Sequence, residues 1–566
     1  MKKYCTKKTP RIYEPVKNFA QLIDSLGKKG DKVAFQYPKG KEFVSVSYGE
    51  FSTLCRRVAA GLSAAGLAGK RIALIGETSV EWVASYIGII AGGGVVIPMD
   101  KELAISEIEG FLSGVDAEAI MHSATFTAKL AETKQNHPTL HRFLPFSGGV
   151  ADEKTLPFED LVALGAKELE NGYALPARDE NALATMLFTS GTTGTSKCVM
   201  LAEKNTCACV NSAAASVNFS EKDVVLSVLP IHHTYELAIM ITALNYGIKI
   251  GINDSLRHLM RNIAAIQPTG LVLVPLFVST MYKRIMDEAR KKGKDKLLER
   301  MIPISNGLRK AGIDLRRKLF SSVINAFGGK LEKIICGGAA LNPELVDKFD
   351  AFGIQICEGY GITECSPLIA VSPYYDNRPG SVGPAVPSCK ARVAVIAKND
   401  KGYDEGEIQV KGDNVMLGYY KNEEANASAF TEDGWYRTGD VGFIDEDGYI
   451  HITGRLKSVI VLENGKNVFP EEIEEYLEGI TEIAESVVVG RKAEGSDTVV
   501  LTAVAFPNKD AFPEGTTKEE MHKVIYQRIM EQNKQVASFK KIMALELRDE
   551  EFEKTTSKKI KRHLVK

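Results

Sequence analysis

Thr185-Met-Leu-Phe-Thr-Ser-Gly-Thr-Thr-Gly-Thr-Ser-Lys-Cys-Val-Met-Leu201 decides how this chain is read. Residues 184–188 are an apolar run of strand length, which predicts a buried strand. It opens into Thr189-Ser190-Gly191-Thr192-Thr193-Gly194-Thr195-Ser196-Lys197, where hydroxyl residues, two glycines and a lysine follow one another without an acid. Glycine lets backbone approach a ligand closely. Hydroxyls and free N–H groups donate hydrogen bonds, and the lysine is a point charge. Together they predict a cradle for a polyphosphate. It is not a Walker A loop, which has Gly directly before the Lys where Ser196 stands here. The competing reading, a polar surface loop, accounts for neither the strand before it nor the lysine at its end.

Outward from this stretch, the composition describes an ordinary globular chain. Its 566 residues, 44% hydrophobic and 25% charged, suffice for more than one domain. A net charge of -1 gives no global field toward nucleic acid. The nine cysteines are scattered, and Cys207-Ala-Cys209 lacks a second pair, so zinc is not expected and the thiols are read as free. The basic N-terminus has no apolar core of a signal peptide. Residues 82–99 are apolar but interrupted by Gly88, Gly92, Gly93 and Gly94, which predicts a helix and then a strand rather than a membrane span. A cytoplasmic protein is expected.

Upstream of the loop, strands at 33–37, 43–48, 71–76 and 95–97 alternate with helices at 17–26, 48–67 and 79–91, the rhythm of α/β layers. Downstream, a strand ends at Pro230 and is followed by His232 and His233, of which one packed and one solvated ring is the plain reading. Lys333-Ile-Ile-Cys-Gly-Gly-Ala-Ala-Leu341 is a strand ending in small residues, against which a flat ring can lie. In Glu358-Gly-Tyr-Gly-Ile-Thr-Glu364, Tyr360 offers a face for a base, Thr363 a hydroxyl for a phosphate, and Glu364 a hard oxygen for Mg2+. Within Gly434-Trp-Tyr-Arg-Thr-Gly-Asp440, a carboxylate on a tight turn can accept two vicinal hydroxyls.

These motifs, in this order and over nearly the whole chain, resemble the AMP-forming acyl-adenylate synthetases, the superfamily of acyl-CoA synthetases, peptide-synthetase adenylation domains and luciferases. The form of the 358–364 motif is similar to that of long-chain fatty acyl-CoA synthetases. The resemblance implies a large multi-layer α/β domain of mixed sheets and helices, 1–455, and a small mobile α+β lid, 458–566, about a hinge at 456–457 that centres on Lys457. It implies an ATP-dependent ligase that turns a fatty acid into acyl-AMP and passes the acyl group to CoA. An acyl carrier protein as acceptor and a non-catalytic nucleotide-binding protein are the alternatives.

Residue by residue, the resemblance assigns the β/γ-phosphates to Ser190, Gly191, Thr192, Thr193, Gly194 and Lys197, and Mg2+ to Glu364 with Thr189. Adenine goes to Gly337, Gly338, Ala339, Glu358, Gly359 and Tyr360, and ribose to Asp440 and Arg455. Thr363, Glu364 and Lys559 are the catalytic set, with Lys559 from Glu553-Lys-Thr-Thr-Ser-Lys-Lys-Ile-Lys-Arg562 on the attacking carboxylate. His233 lines the acyl pocket and Gly465 lies where the pantetheine of CoA passes. Ser196, Cys198 and Lys558 depart from the family pattern of Pro, Gly and Gly. Residues 281–330 are strongly basic at helical spacing. They read either as solvated helix faces or as a surface meeting anionic lipid or the phosphates of CoA.

Overall fold

The apolar run folds as the strand Leu183–Thr189, and the residues beyond the loop return as a second strand, Lys197–Ala202, antiparallel to it with Thr189 opposite Lys197. The phosphate-loop candidate therefore joins two strands of one sheet, where a Walker loop would lead into a helix. In this computed structural model the described residues are 14–189, 196–462, 467–492, 499–534, 536–554 and 560–565. The chain forms two units, 1–391 with 410–436 and 392–409 with 437–566.

The first unit holds two mixed sheets. One has seven strands in the order Gly418–Tyr419, Lys197–Ala202, Leu183–Thr189, Val95–Met99, Arg71–Ile75, Ala119–His122 and Arg142–Pro145. From Leu183–Thr189 to Arg142–Pro145 neighbouring strands are parallel, and their residues are largely apolar and buried, as in strands covered on both faces. Ser79 caps the helix Val80–Ala91 by accepting the Trp82 N–H, and nearly every residue of that helix is buried. It packs against both Phe19–Gly27 and Tyr48–Ala64, which also touch each other. Close approach requires Gly88, where a Cβ would lie 2.7 Å from Val58 Cγ1. The long apolar stretch is thus core, and among the described residues no helix is long and apolar enough to cross a membrane.

The other sheet has eight strands in the order Leu368–Val371, Gln355–Gly361, Lys333–Gly337, Gly270–Leu273, Val224–Ser227, Lys249–Ile252, Val33–Lys39 and Glu42–Ser47. From Gln355–Gly361 to Val33–Lys39 neighbouring strands are parallel, and the two edge strands are antiparallel. Val224–Ser227 stops short of Pro230, the end expected for it, and Pro275, two residues past Gly270–Leu273, opens the helix Pro275–Lys291 at its first turn. Leu271, Leu273, Phe320, Ile334, Phe349 and Phe352 are part of the core on one face. Burying side chains of this size stabilises by about 1.5–3 kcal/mol each.

Residues 449–455, 437–444, 404–409 and 392–398 of the second unit lie in the strands Tyr449–Arg455, Tyr436–Ile444, Asp404–Gly412 and Cys389–Lys398, which are neighbours in that order. A separate sheet of Ile483–Lys492, Val499–Pro507 and Ile542–Leu547 carries the helices Pro470–Glu478 and Lys518–Gln532 over a core that includes Ile473, Leu477, Val488, Leu501, Ile525 and Ile529. This is the α+β module expected beyond residue 458. Residues 392–409 and 437–455 cluster with it.

Candidate functional site

Open α/β sheets bind ligands beyond the carboxyl ends of their parallel strands. On the eight-stranded sheet those ends carry His232 and His233, Gly337–Ala339 and Glu358–Glu364. Two of the segments expected at adenine lie side by side there. Gly337 pairs in register with Gly359, and Cys336 with Glu358. A Cβ on Gly337 would stand 2.8 Å from the Gly359 carbonyl oxygen, so this strand contact exists because the residue is glycine. Gly338 takes φ +89 and turns the chain out, leaving Gly338 and Ala339 exposed beside the half-exposed Tyr360. Glu358 is buried at 6% exposure.

Glu364 follows in the short turn Thr363–Cys365, half-buried. Tyr419 donates to its Oε1 over 2.8 Å and lies 3.2 Å from the Tyr436 hydroxyl. The ammonium of Lys197 stands over the Tyr419 ring, 4.7 Å from its centroid. Burial, reinforced by the charge of Glu364, pushes both phenols above their ordinary range, so both stay protonated donors. Tyr419 is held by pairing with Val199 on the loop's return strand, while the Met416 N–H donates to the Glu364 carbonyl over 2.8 Å. Asn205 bonds the carbonyls of Asp413 and Val415, and Ser366 bonds that of Asn414. Segment 413–420 thereby links the loop's return strand to the Glu364 turn.

At the neck of the loop the Ser196 hydroxyl donates to the Thr189 carbonyl over 2.9 Å. Cys198 turns inward into the core, and its carbonyl accepts from the Tyr420 N–H over 2.8 Å. Two of the departures from the family pattern therefore have structural roles in the hairpin. Lys558 and the sequence-predicted site residues Ser190, Gly191, Thr192, Thr193, Gly194, Gly465 and Lys559 lie outside the described residues.

The histidines correct the plain reading of one packed and one solvated ring. Both are half-buried, with ring centroids 4.4 Å apart, because the backbone turns there into the helix Thr234–Tyr246, with His233 at its N-cap. Burial, and then the neighbouring His233, drive the His232 pKa down despite Asp100 at 3.5 Å. Tyr235 anchors this turn to the sheet by donating to the Ile335 carbonyl over 3.1 Å. Next to it, the buried Glu236 accepts from Ser227, and burial pushes its carboxyl up to about 8.

In the second unit Asp440 and Arg455 are directly opposite on antiparallel strands, with Arg455 Nε 3.0 Å from Asp440 Oδ1. Asp440 is 4% exposed, whereas Arg455 and Lys457 are exposed. Lys457 sits in the short turn Leu456–Ser458.

Glu364 also offers a test of fit for Mg2+. Its bond to Tyr419 engages one carboxylate oxygen and leaves Oε2 as a hard donor. Among the described residues no group of three or more His, Cys, Asp or Glu could cage a metal. A single carboxylate suits a cation that completes its shell with water and substrate phosphates. Tyr419 and Tyr436 were missed by sequence reasoning. The glycine before Tyr419, at φ +139, was the available signal, since it marks a special backbone position.

The protein-family models described as AMP-binding enzyme and AMP-binding enzyme C-terminal domain match residues 23–420 and 457–566. The chain is 30% identical over 479 residues to a long-chain-fatty-acid–CoA ligase of Mycobacterium bovis, covering 81% of this chain and 78% of that one. It is 28% identical over 579 residues to a chloroplastic long-chain-fatty-acid–[acyl-carrier-protein] ligase of Arabidopsis thaliana, covering 89% and 78%. Among solved structures, ATP-bound MatB from Rhodopseudomonas palustris superposes with a TM-score of 0.73 at 26% identity, covering 97% of this chain and 98% of that chain.

Proposed function

The chain belongs to the AMP-binding enzyme family and is an ATP-dependent acyl-adenylate-forming ligase, and from that premise we propose that it activates a long-chain fatty acid and transfers the acyl group to the thiol of CoA. The observation that carries the reading is the bridge from Lys197 through Tyr419 to Glu364, which joins the base of the loop to the carboxylate turn. The long-chain choice draws on the 30% identical relative and on the form of the 358–364 motif.

In this reading the substrate carboxylate, ionised at neutral pH, attacks the α-phosphorus of ATP without a general base. The bond to the β-phosphate bridging oxygen breaks and pyrophosphate leaves with its electron pair. Both partners are anionic, so the protein contributes alignment and charge stabilisation. Lys197 and the 190–194 backbone hold the β/γ-phosphates, and Thr363 contributes a hydroxyl. Bound Mg2+, held by Glu364 with Thr189, would screen phosphate charge. Tyr360 stacks on adenine against Gly337–Ala339, Asp440 and Arg455 hold the ribose, and Lys559 orients the attacking oxygen. His233 lines the acyl pocket.

In the second half-reaction the CoA sulfur attacks the acyl carbon, the bond to the phosphate oxygen breaks, and AMP leaves. Lys559 and the thiol would compete for the same approach, so the segment beyond Lys457 rotates between steps and brings the Gly465 loop to the pantetheine.

The test is an ATP-dependent hydroxamate assay over saturated acids of increasing length, followed by CoA and an acyl carrier protein offered side by side. Turnover that rises with chain length and thioester formation on CoA support the reading. A preference for short or aromatic acids removes the long-chain assignment. The relative that acts on an acyl carrier protein favours the second reading, in which the carrier thiol replaces CoA.

A further inference from the structure

We infer that the outward face of the helix Asp295–Lys310, with the turn that follows it, docks on an anionic lipid surface. Over residues 283–318 thirteen Lys and Arg stand against five Asp and Glu, a surplus of eight positive charges in a chain whose net charge is -1. The remainder of the chain is therefore acidic, and the positive field is local.

The helix has two distinct faces. Leu298, Met301 and Ile302 pack against the core of the eight-stranded sheet, and Ser305 is 2% exposed. The other face carries Leu297 at 55% and Ile304 at 60% exposure, one heptad apart, with the exposed Arg300 between them. Beyond the helix Ile313 is 48% and Leu315 39% exposed. Isolated exposed aliphatics are ordinary on protein surfaces. Four within nineteen residues of a strongly basic segment form a pattern.

The cations divide in the same way. Arg290 and Lys291 pair with Asp287 and Glu288 on the preceding helix, and Arg316 pairs with Asp314 and Asp350. Lys294, Lys296, Arg300 and Lys318 are exposed and, among the described residues, have no acidic partner. Glu299 is the exposed acid of the helix and leaves the surplus positive.

A nucleic acid would satisfy these cations but leave Leu297 and Ile304 without an apolar environment. An anionic bilayer takes both, with cations at the headgroups and aliphatic side chains just beneath. A helix of 16 residues lying flat would offer about 24 Å of contact.

The test is sedimentation of the full chain with phosphatidylcholine vesicles with and without phosphatidylglycerol. Binding is expected only with phosphatidylglycerol and should weaken with salt. The triple substitution Lys294→Gln, Lys296→Gln and Arg300→Gln should weaken it about a hundredfold, and Leu297→Ser with Ile304→Ser about tenfold. ATP–pyrophosphate exchange should be unchanged in both variants, which keeps misfolding apart from lost docking. Free CoA, an anion without a bilayer, should not displace the vesicles. No binding to anionic vesicles, displacement by CoA, or undiminished binding of either variant would overturn the proposal. Capture of an acidic acyl carrier protein by this face with vesicles ignored would overturn it too.

Discussion

Tyr419 donates a 2.8 Å hydrogen bond to Glu364 while its ring carries the Lys197 ammonium 4.7 Å from the centroid. A neutral phenol thus touches a cation on one side and an anion on the other. A direct pair would spend the charge of each on the other. Interposing the tyrosine orients both and leaves both charges available to ligands.

Tyr419→Phe keeps the ring beneath Lys197 and removes the bond to Glu364. A hydrogen bond to a charged group contributes about 1.5–3 kcal/mol. Adenylation should therefore slow by roughly ten- to a hundredfold, with half-saturation by Mg2+ moving upward and the melting temperature little changed. Tyr419→Leu, which also loses the ring, should fall further. An unaltered Mg2+ titration in Tyr419→Phe would confine the tyrosine to packing.

Gly337→Ala adds a Cβ 2.8 Å from the Gly359 carbonyl oxygen, in a neighbouring strand with little room to move. Overpacking of this kind costs about 1–3 kcal/mol. The expected outcome is a lower denaturation midpoint together with a raised KM for ATP. The cost belongs to the paired strand position, since Ala339 already carries a methyl where the chain is exposed. A variant as stable as the parent, with an unchanged KM, would show that the strands open freely here.

Glu236 is buried and its carboxyl is raised to about 8, above its ordinary 4.5, chiefly by desolvation and against the bonds from Ser227 and the Leu229 backbone. The folded state holds this proton over a pH range in which the unfolded chain has released it. Stability contributed at this site is therefore full below about pH 4.5 and declines toward pH 8, by up to about 5 kcal/mol. Denaturant titrations of parent and Glu236→Gln should diverge as pH rises, with the variant flatter. Parallel curves from pH 5 to 8 would show that the folded state does not hold this proton.

Lys559→Ala should slow adenylation by roughly 10²–10³, the scale for one electrostatic group, while thioester formation from supplied acyl-AMP is nearly spared. Single-turnover measurement of each half-reaction separates the two. Equal loss in both would remove the step-specific role of Lys559.

The layered α/β architecture was legible because strand and helix periodicities are local: 71–76, 79–91 and 95–97 fold as the strand Arg71–Ile75, the helix Val80–Ala91 and the strand Val95–Met99. The motifs at 189–197, 358–364 and 434–440 were legible because each compresses its chemistry into a few adjacent residues. Strand pairing is not local. That Gly337 abuts Gly359, that Cys198 turns inward while Ser196 closes the hairpin neck, and that two adjacent histidines stand side by side are decided by register and by where a helix begins.

The sequence by itself determined which chemical groups are present and the local periods of their elements, since both follow from neighbours along the chain. Only the tertiary structure decided that Tyr419, from an edge strand of one sheet, stands between Lys197 and Glu364. Backbone hydrogen bonds between distant segments, such as Met416 to Glu364, bring that side chain there, and no spacing within the sequence encodes them.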